Sequence, residues 1–343
     1  MKQTEQKELL KVENLQTVFG KGKNVVNAVG DVSFEVHEGE IFGLIGESGC
    51  GKSVTCRSLI GLINPPGKII NGSIKYKGKE LLDLGKRKFE TVRGSEISMI
   101  FQEPMTTLNP VVKIRTQLTE GMDRKMSGKE KNARALELLK MVGISSPETR
   151  LDCYPHELSG GMRQRVMIAI ALAASPKLLL ADEPTTALDV TIQDQIIKLL
   201  LKLREELNMS MILVTHDMGV ASQMCDRMAV MYAGYIMEIA DVREIFLAPR
   251  HPYTYGLMSS LPTRNNKGEK LKSIKGAPPN LNDMPKGCPF HPRCQYCEEL
   301  CKTTFPELRE IAPGHMSRCH YMEKMKDVKG VIENVKGERK DGK

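Results

Sequence analysis

The sequence predicts an α/β fold, a mainly parallel sheet with helices on both faces, and three observations carry that prediction. Short apolar runs suited to buried strands, at 41–45, 177–181 and 211–214, alternate with helical patterns as in chained strand–helix–strand units. The first run leads through a glycine-rich loop directly into residues 54–62, which read as the opening turns of a helix. Ahead of it, residues 8–19 and 32–36 alternate apolar and polar side chains, which adds an antiparallel part.

In chain order, residues 8–19 read as an edge strand, and 32–36 as a second strand that stops at a turn at Glu38 and Gly39. The run at 41–45 is followed by Gly46-Glu47-Ser48-Gly49-Cys50-Gly51-Lys52-Ser53, of the form G-x-x-x-x-G-K-S. Between a strand and a helix, that form cradles phosphate. Its glycines let the backbone curl until successive N–H groups converge on a β-phosphate, and the helix N-terminus adds its positive end. Lys52 would bridge the β- and γ-phosphates, and Ser53 would set its hydroxyl on Mg²⁺. The expected ligand is a nucleoside triphosphate.

Residues 72–79 read as a further strand and 98–101 as a short one. From about 110 to 158 the pattern turns helical, most regularly over 133–141, and 167–174 continues as a buried helix. These place an inserted helical lobe at about 103–165. Core strands at 177–181 and 211–214 bracket a helix over 191–207, and strands at 227–232 and 235–240 flank Ala233 and Gly234 as a hairpin. The strand at 178–181 ends in two carboxylates. Asp182 at its tip can hold Mg²⁺ through water, and Glu183 can polarise an attacking water.

The 343 residues suit about two domains, and 41% apolar with 27% charged residues is the composition of a soluble globular protein. The net charge of +8, from 50 basic and 42 acidic residues, is spread along the chain and reads as a solvated mixed surface. No apolar run approaches a membrane span, and the polar start at 1–8 is not a signal peptide. The expectation is a cytoplasmic protein that borrows any membrane role from a partner.

Leu158-Ser159-Gly160-Gly161-Met162-Arg163-Gln164-Arg165 matches the signature of the ATP-binding-cassette ATPases, and the chain is identified as a member of that family. Gln102, in Ile100-Phe101-Gln102-Glu103-Pro104, resembles the Q-loop glutamine, and Ala187-Leu188-Asp189 resembles the D-loop. His216 resembles the switch histidine, and Phe19 the aromatic that stacks on adenine. The likeness covers roughly residues 8–260. It implies a P-loop NTPase core with an antiparallel β subdomain and an inserted helical subdomain, using ATP and Mg²⁺. The implied catalytic residues are Glu183, His216 and Gln102, with Ser53, Gln102 and Asp182 at the metal. Nucleotide contacts are implied for Phe19, for Gly46, Glu47, Ser48, Gly49, Cys50, Gly51, Lys52, Ser53 and Val54, and for Ser159, Gly160, Gly161 and Asp189. In this family the signature helix end meets the γ-phosphate bound by the opposite subunit, so that ATP joins two cassettes and hydrolysis releases them.

Of nine cysteines, Cys50, Cys56, Cys153 and Cys225 are scattered and read as small buried or half-buried residues. Cys288, Cys294, Cys297, Cys301 and Cys319 crowd one segment, which in a cytosolic chain favours metal over disulfides. Cys288, Cys294, Cys301 and Cys319 form a C-x5-C-x6-C-x17-C pattern able to hold zinc or a cubane cluster. The segment resembles the C-terminal extension of cassettes from the oligopeptide/dipeptide (and nickel) import subfamily, as do His251-Pro252-Tyr253-Thr254-Tyr255-Gly256-Leu257 and Ser260-Leu261-Pro262. Members with these four cysteines carry a 4Fe-4S cluster, so the resemblance implies one here. Cys297 departs from that pattern, and Cys294-x2-Cys297 suits zinc equally. A cassette at 1–262 and a small extension at 263–343 are expected, with a linker at 263–287 and a charged tail past Tyr321. His156, His251 and His320 read as surface or capping residues.

The resemblance implies the ATPase subunit of a membrane importer for oligopeptides or dipeptides, peripheral on the cytoplasmic face of the membrane. Its implied partners are two transmembrane permease subunits, a second and different ATPase subunit and, indirectly, a solute-binding protein. Nickel import shares the same tail. A cassette acting on nucleic acid or ribosomes, which usually has two cassettes or a long coiled-coil insertion, is the reading from another class.

Overall fold

The computed structural model describes residues 7–22, 24–186, 188–260 and 274–325. The linker's first half, Leu261, Pro262, Ala187 of the D-loop and the tail past Met325 lie outside them. In chain order the elements begin β1 (Glu8–Lys21), β2 (Asn24–His37), β3 (Ile41–Ile45), α1 (Lys52–Leu59), β4 (Lys68–Tyr76), β5 (Lys79–Glu80), α2 (Lys86–Val92) and β6 (Ile97–Ile100). The helical lobe follows as α3 (Pro104–Thr107), α4 (Ile114–Glu120), α5 (Gly128–Met141), α6 (Pro147–Arg150) and α7 (Gly160–Leu172). Then come β7 (Leu178–Asp182), α8 (Val190–Leu207), β8 (Ser210–Thr215), α9 (Met218–Met224), β9 (Arg227–Tyr232), β10 (Tyr235–Asp241), α10 (Val242–Leu247) and α11 (Pro252–Ser259). The described extension contributes α12 (Glu299–Thr303), β11 (Arg309–Ala312) and β12 (His315–Ser317).

The strands run in the order β5-β4-β1-β2-β10-β9-β3-β8-β7-β6. From β9 to β6 all pairs are parallel, while β1, β2, β4 and β5 form the antiparallel part. Every residue of β3, β7 and β8 is buried, which is why these strands read as unbroken apolar runs. Helices cover both faces, and one apolar core runs from Ile41 and Ile45 through the helical lobe to Cys288, Phe290 and Cys301 of the extension.

The structure corrects three expectations. Residues 8–19 are not an edge strand, because β1 pairs with both β2 and β4, and β5 forms the edge. Asn14, at φ 48°, bulges the strand there and shifts its register, which blurs the alternation that a central strand would show. The strand expected at 72–79 is two strands: β4 begins at Lys68, and Lys77 and Gly78, both at positive φ, turn it into β5. The helix expected at 167–174 starts at Gly160, where Ser159 caps it by accepting from the Met162 N–H.

The extension joins the cassette's own sheet. β12 pairs antiparallel with β10, and buried His315 Nε2 lies 2.7 Å from Glu238 Oε1. Arg318 donates to Asp31 of β2 and to the Ile236 carbonyl.

Candidate active site

The carboxyl ends of β3, β6, β7 and β8 converge on one cleft, as ligand sites do in open α/β sheets. Two glycines of the loop after β3 are required by their surroundings. A Cβ on Gly46 would lie 2.2 Å from the Met231 carbonyl, and one on Gly51, at φ 103°, would lie 2.4 Å from the Ala28 carbonyl. The loop is therefore clamped between β9 and β2. Lys52, 4% exposed, opens α1 and turns its ammonium over the loop, donating to the carbonyls of Gly46 at 2.8 Å and Glu47 at 2.9 Å. Cys50, within the loop, is buried, and burial raises its thiol pKa.

Ser53 Oγ donates to Asp182 Oδ1 at 2.7 Å. The other Asp182 oxygen is buried without a hydrogen-bond partner, and burial, the largest effect on that carboxyl, raises its pKa. A hydroxyl beside a carboxylate with a spare buried oxygen is a donor set that fits Mg²⁺. Gln102 stands beside the next residue along, Glu183.

Glu183 adopts a left-handed φ of 47° as the chain leaves β7, and its N–H donates to the Val214 carbonyl. That turn sets its carboxylate among three groups. Gln102 Nε2 donates to Oε2 at 3.0 Å, Thr186 Oγ1 donates to the same oxygen at 2.8 Å, and His216 Nδ1 stands 3.3 Å from Oε1. These partners come from the chain after β6, β7 and β8. Together with Gly46, Glu47, Ser48 and Leu257 they line a cleft of about 460 Å³. Thr186 and Leu257 were not anticipated. A threonine following a Glu-Pro strand tip was the available signal for the first.

The structure does not bring every expected residue to this cleft. Ser159, Gly160 and Gly161 lie at the N-terminus of α7, with the first two exposed, and are not among the residues lining it. A Cβ on Gly161 would meet Ile192 of α8 at 3.2 Å, and Gln164 donates to the Pro184 carbonyl, which ties this helix to the tip of β7. Asp189 caps α8, its Oδ1 accepting from the Ile192 N–H. Phe19 stands apart on β1, with its ring over Gly67.

The family model for ABC transporter matches residues 29–186, and the one for Oligopeptide/dipeptide transporter, C-terminal region, matches 237–301. Oligopeptide transport ATP-binding protein AppD of Bacillus subtilis is 49% identical over 92% of this chain and 97% of that protein. Dipeptide transport ATP-binding protein DppD of Escherichia coli is 45% identical over 91% and 96%. The chain belongs to the oligopeptide/dipeptide ABC transporter family of ATP-binding proteins. Among solved structures, the dimeric ATP-binding cassette MJ0796 in a post-hydrolysis state with ADP and Pi covers 68% of this chain and 99% of its own, at 31% identity and a TM-score of 0.61.

The match to the peptide-transport C-terminal region takes in Cys288, Cys294, Cys297 and Cys301, and Cys319 lies beyond it. Cys288, Cys294, Cys301 and Cys319 line one small cavity of about 20 Å³ with His251, Phe290, His291, Tyr296, His320 and Tyr321, while Cys297 does not. None of the five is in a disulfide. Burial pushes Cys288 and Cys319 up to about 12 and Cys294 up to about 11. Among the described residues, no three His, Cys, Asp or Glu side chains stand together as a metal-holding group. The expected metal-binding extension is thus seen as four converging thiols only. His251, expected to be a surface or capping residue, is a cap, 1% exposed: Nδ1 accepts from the Tyr253 N–H, and burial pushes its pKa down to about 3.

Proposed function

We propose that this chain is the ATP-hydrolysing subunit of a membrane importer for oligopeptides or dipeptides, peripheral on the cytoplasmic face. The observation that carries the reading is the end-to-end likeness, at 45–49% identity, to relatives named for peptide transport, cysteine-bearing region included. In this reading Lys52 and the N–H groups of Gly46–Ser53 hold the phosphates, and Phe19 takes the adenine. Ser53 and Asp182, with Gln102, would hold Mg²⁺, which would offset the charge of the phosphates. Glu183 accepts a proton from, and orients, the attacking water, with His216 and Gln102 fixing its carboxylate. Ser159, Gly160, Gly161 and Asp189 serve the nucleotide of a second, different cassette, which is why they sit away from this chain's own cleft. Two transmembrane permease subunits receive the stroke, and a solute-binding protein delivers the cargo. No nucleic acid is involved.

For the extension we propose that Cys288, Cys294, Cys301 and Cys319 hold a 4Fe-4S cluster. Four thiols from four separate points of a loop-rich segment suit a cubane, whose irons each take one cysteine, better than a single zinc bound by all four at one centre. The cluster would pin the loop.

The test of the ATP reading is Lys52→Ala in the complex assembled with its permeases. Losing a charged donor at the phosphates is expected to weaken MgATP binding by at least about tenfold and to abolish peptide-stimulated hydrolysis and uptake. Unchanged affinity by calorimetry, with an intact melting transition, would count against the phosphate role of the loop.

A further inference from the structure

Glu47, the second residue of the phosphate loop, is held from outside the cassette motifs. Arg293, between Cys288 and Cys294 in the extension, makes a two-pronged contact with it across 246 residues of sequence. Nη1 donates to Oε2 at 2.7 Å, and Nη2 donates to Oε1 at 3.0 Å. The Arg293 side chain is 5% exposed and that of Glu47 27%. The guanidinium is itself fixed, because Nη1 also donates to Tyr232 Oη at 3.3 Å and Nε donates to the Lys275 carbonyl at 3.1 Å. Tyr253 Oη accepts from the Glu47 N–H at 3.1 Å. The rings of Tyr232, Tyr253 and Phe290 pack with centroids 4.7–5.3 Å apart, so the two hydroxyl-bearing partners and the loop that carries Arg293 form one rigid cluster.

This arrangement answers a physical problem. A carboxylate on a loop built to receive phosphates opposes the ligand's charge, and its backbone must also hold one conformation for the N–H groups to converge. A bidentate Arg–carboxylate pair deals with both, since it neutralises the charge and fixes the geometry. We propose that Arg293 is a positioning residue of the ATP site: through Glu47 it holds the phosphate loop in its binding conformation and cancels the one negative charge that the loop carries. The extension is then a working part of nucleotide binding. The proposal rests on the phosphate-loop reading, and Lys52→Ala separates the two, because it tests that reading without touching Arg293.

The experiment uses the full-length chain and MgADP, which needs no turnover, followed by steady-state ATPase kinetics. Arg293→Ala is expected to raise the dissociation constant for MgADP and the KM for ATP by about tenfold, roughly 1.4 kcal/mol, with kcat within about twofold. The distinguishing result is rescue. Adding Glu47→Gln to Arg293→Ala removes the uncompensated charge and is expected to restore affinity to within about threefold of the parent. Equal affinity in Arg293→Ala and the parent overturns the proposal. So does a double variant that binds as weakly as Arg293→Ala, since that is the result of a residue that merely holds the extension together. Should Arg293→Ala fail to fold, Arg293→Lys carries the test. It keeps a charge but loses the fork, and is expected to show a smaller rise; no rise overturns the proposal.

Discussion

Glu183→Gln is expected to lower ATP turnover by at least about two orders of magnitude, the scale of a lost general base, while nucleotide binding persists. The exchange is close to isosteric at a residue 9% exposed, and the amide keeps an oxygen that accepts from Gln102 Nε2 or Thr186 Oγ1. What it loses is the carboxylate's capacity to take a proton. Asp182 and Ser53 stay in place one residue back, so the Mg²⁺ donor set is untouched. Because the γ-phosphate then survives, the variant is expected to collect as an ATP-bound pair of cassettes. Single-turnover hydrolysis and size-exclusion chromatography with MgATP check both halves, and near-parental turnover in the assembled complex would remove Glu183 from its role.

The parts of this site that could be read in advance are those whose chemistry is local. The loop at 46–53 declares itself because a strand, glycines, Lys52 and Ser53 must be contiguous to cradle phosphate, and Asp182 and Glu183 because they end an all-apolar strand. Gln102, His216 and Glu183 were legible only as separate motifs. That they meet at 3.0 Å and 3.3 Å depends on the parallel order β3-β8-β7-β6, which aligns three strand ends. Nothing local announces that β12 extends the cassette sheet, or that Arg293 reaches Glu47, since such contacts depend on how distant segments pack. Helix capping also hides function. Ser159 and Asp189 each cap a helix in this chain, a structural use that accounts for these residue types whatever they do at a partner's nucleotide.

Anaerobically purified chain is expected to carry about four irons, to lose them all on Cys319→Ser, and to keep them on Cys297→Ser. Cys319 comes from the far side of β12 and closes the cavity that Cys288, Cys294 and Cys301 line, whereas Cys297 lies outside it and its thiol turns to the Glu298 carbonyl. With one thiol gone, one corner of a cubane would have no ligand, and the cluster would be exposed to loss. The effect on the protein is expected to be large as well, because a loop-rich extension with little apolar core of its own depends on such a staple. Melting of Cys319→Ser should separate into an early transition of the extension and a later one of the cassette, while Cys297→Ser melts as the parent does. Iron analysis, the visible absorption of the cluster and calorimetry read this without any measure of transport. One zinc and no iron per chain, even in the absence of oxygen, would overturn the cubane, and iron retained in Cys319→Ser would overturn the ligand set.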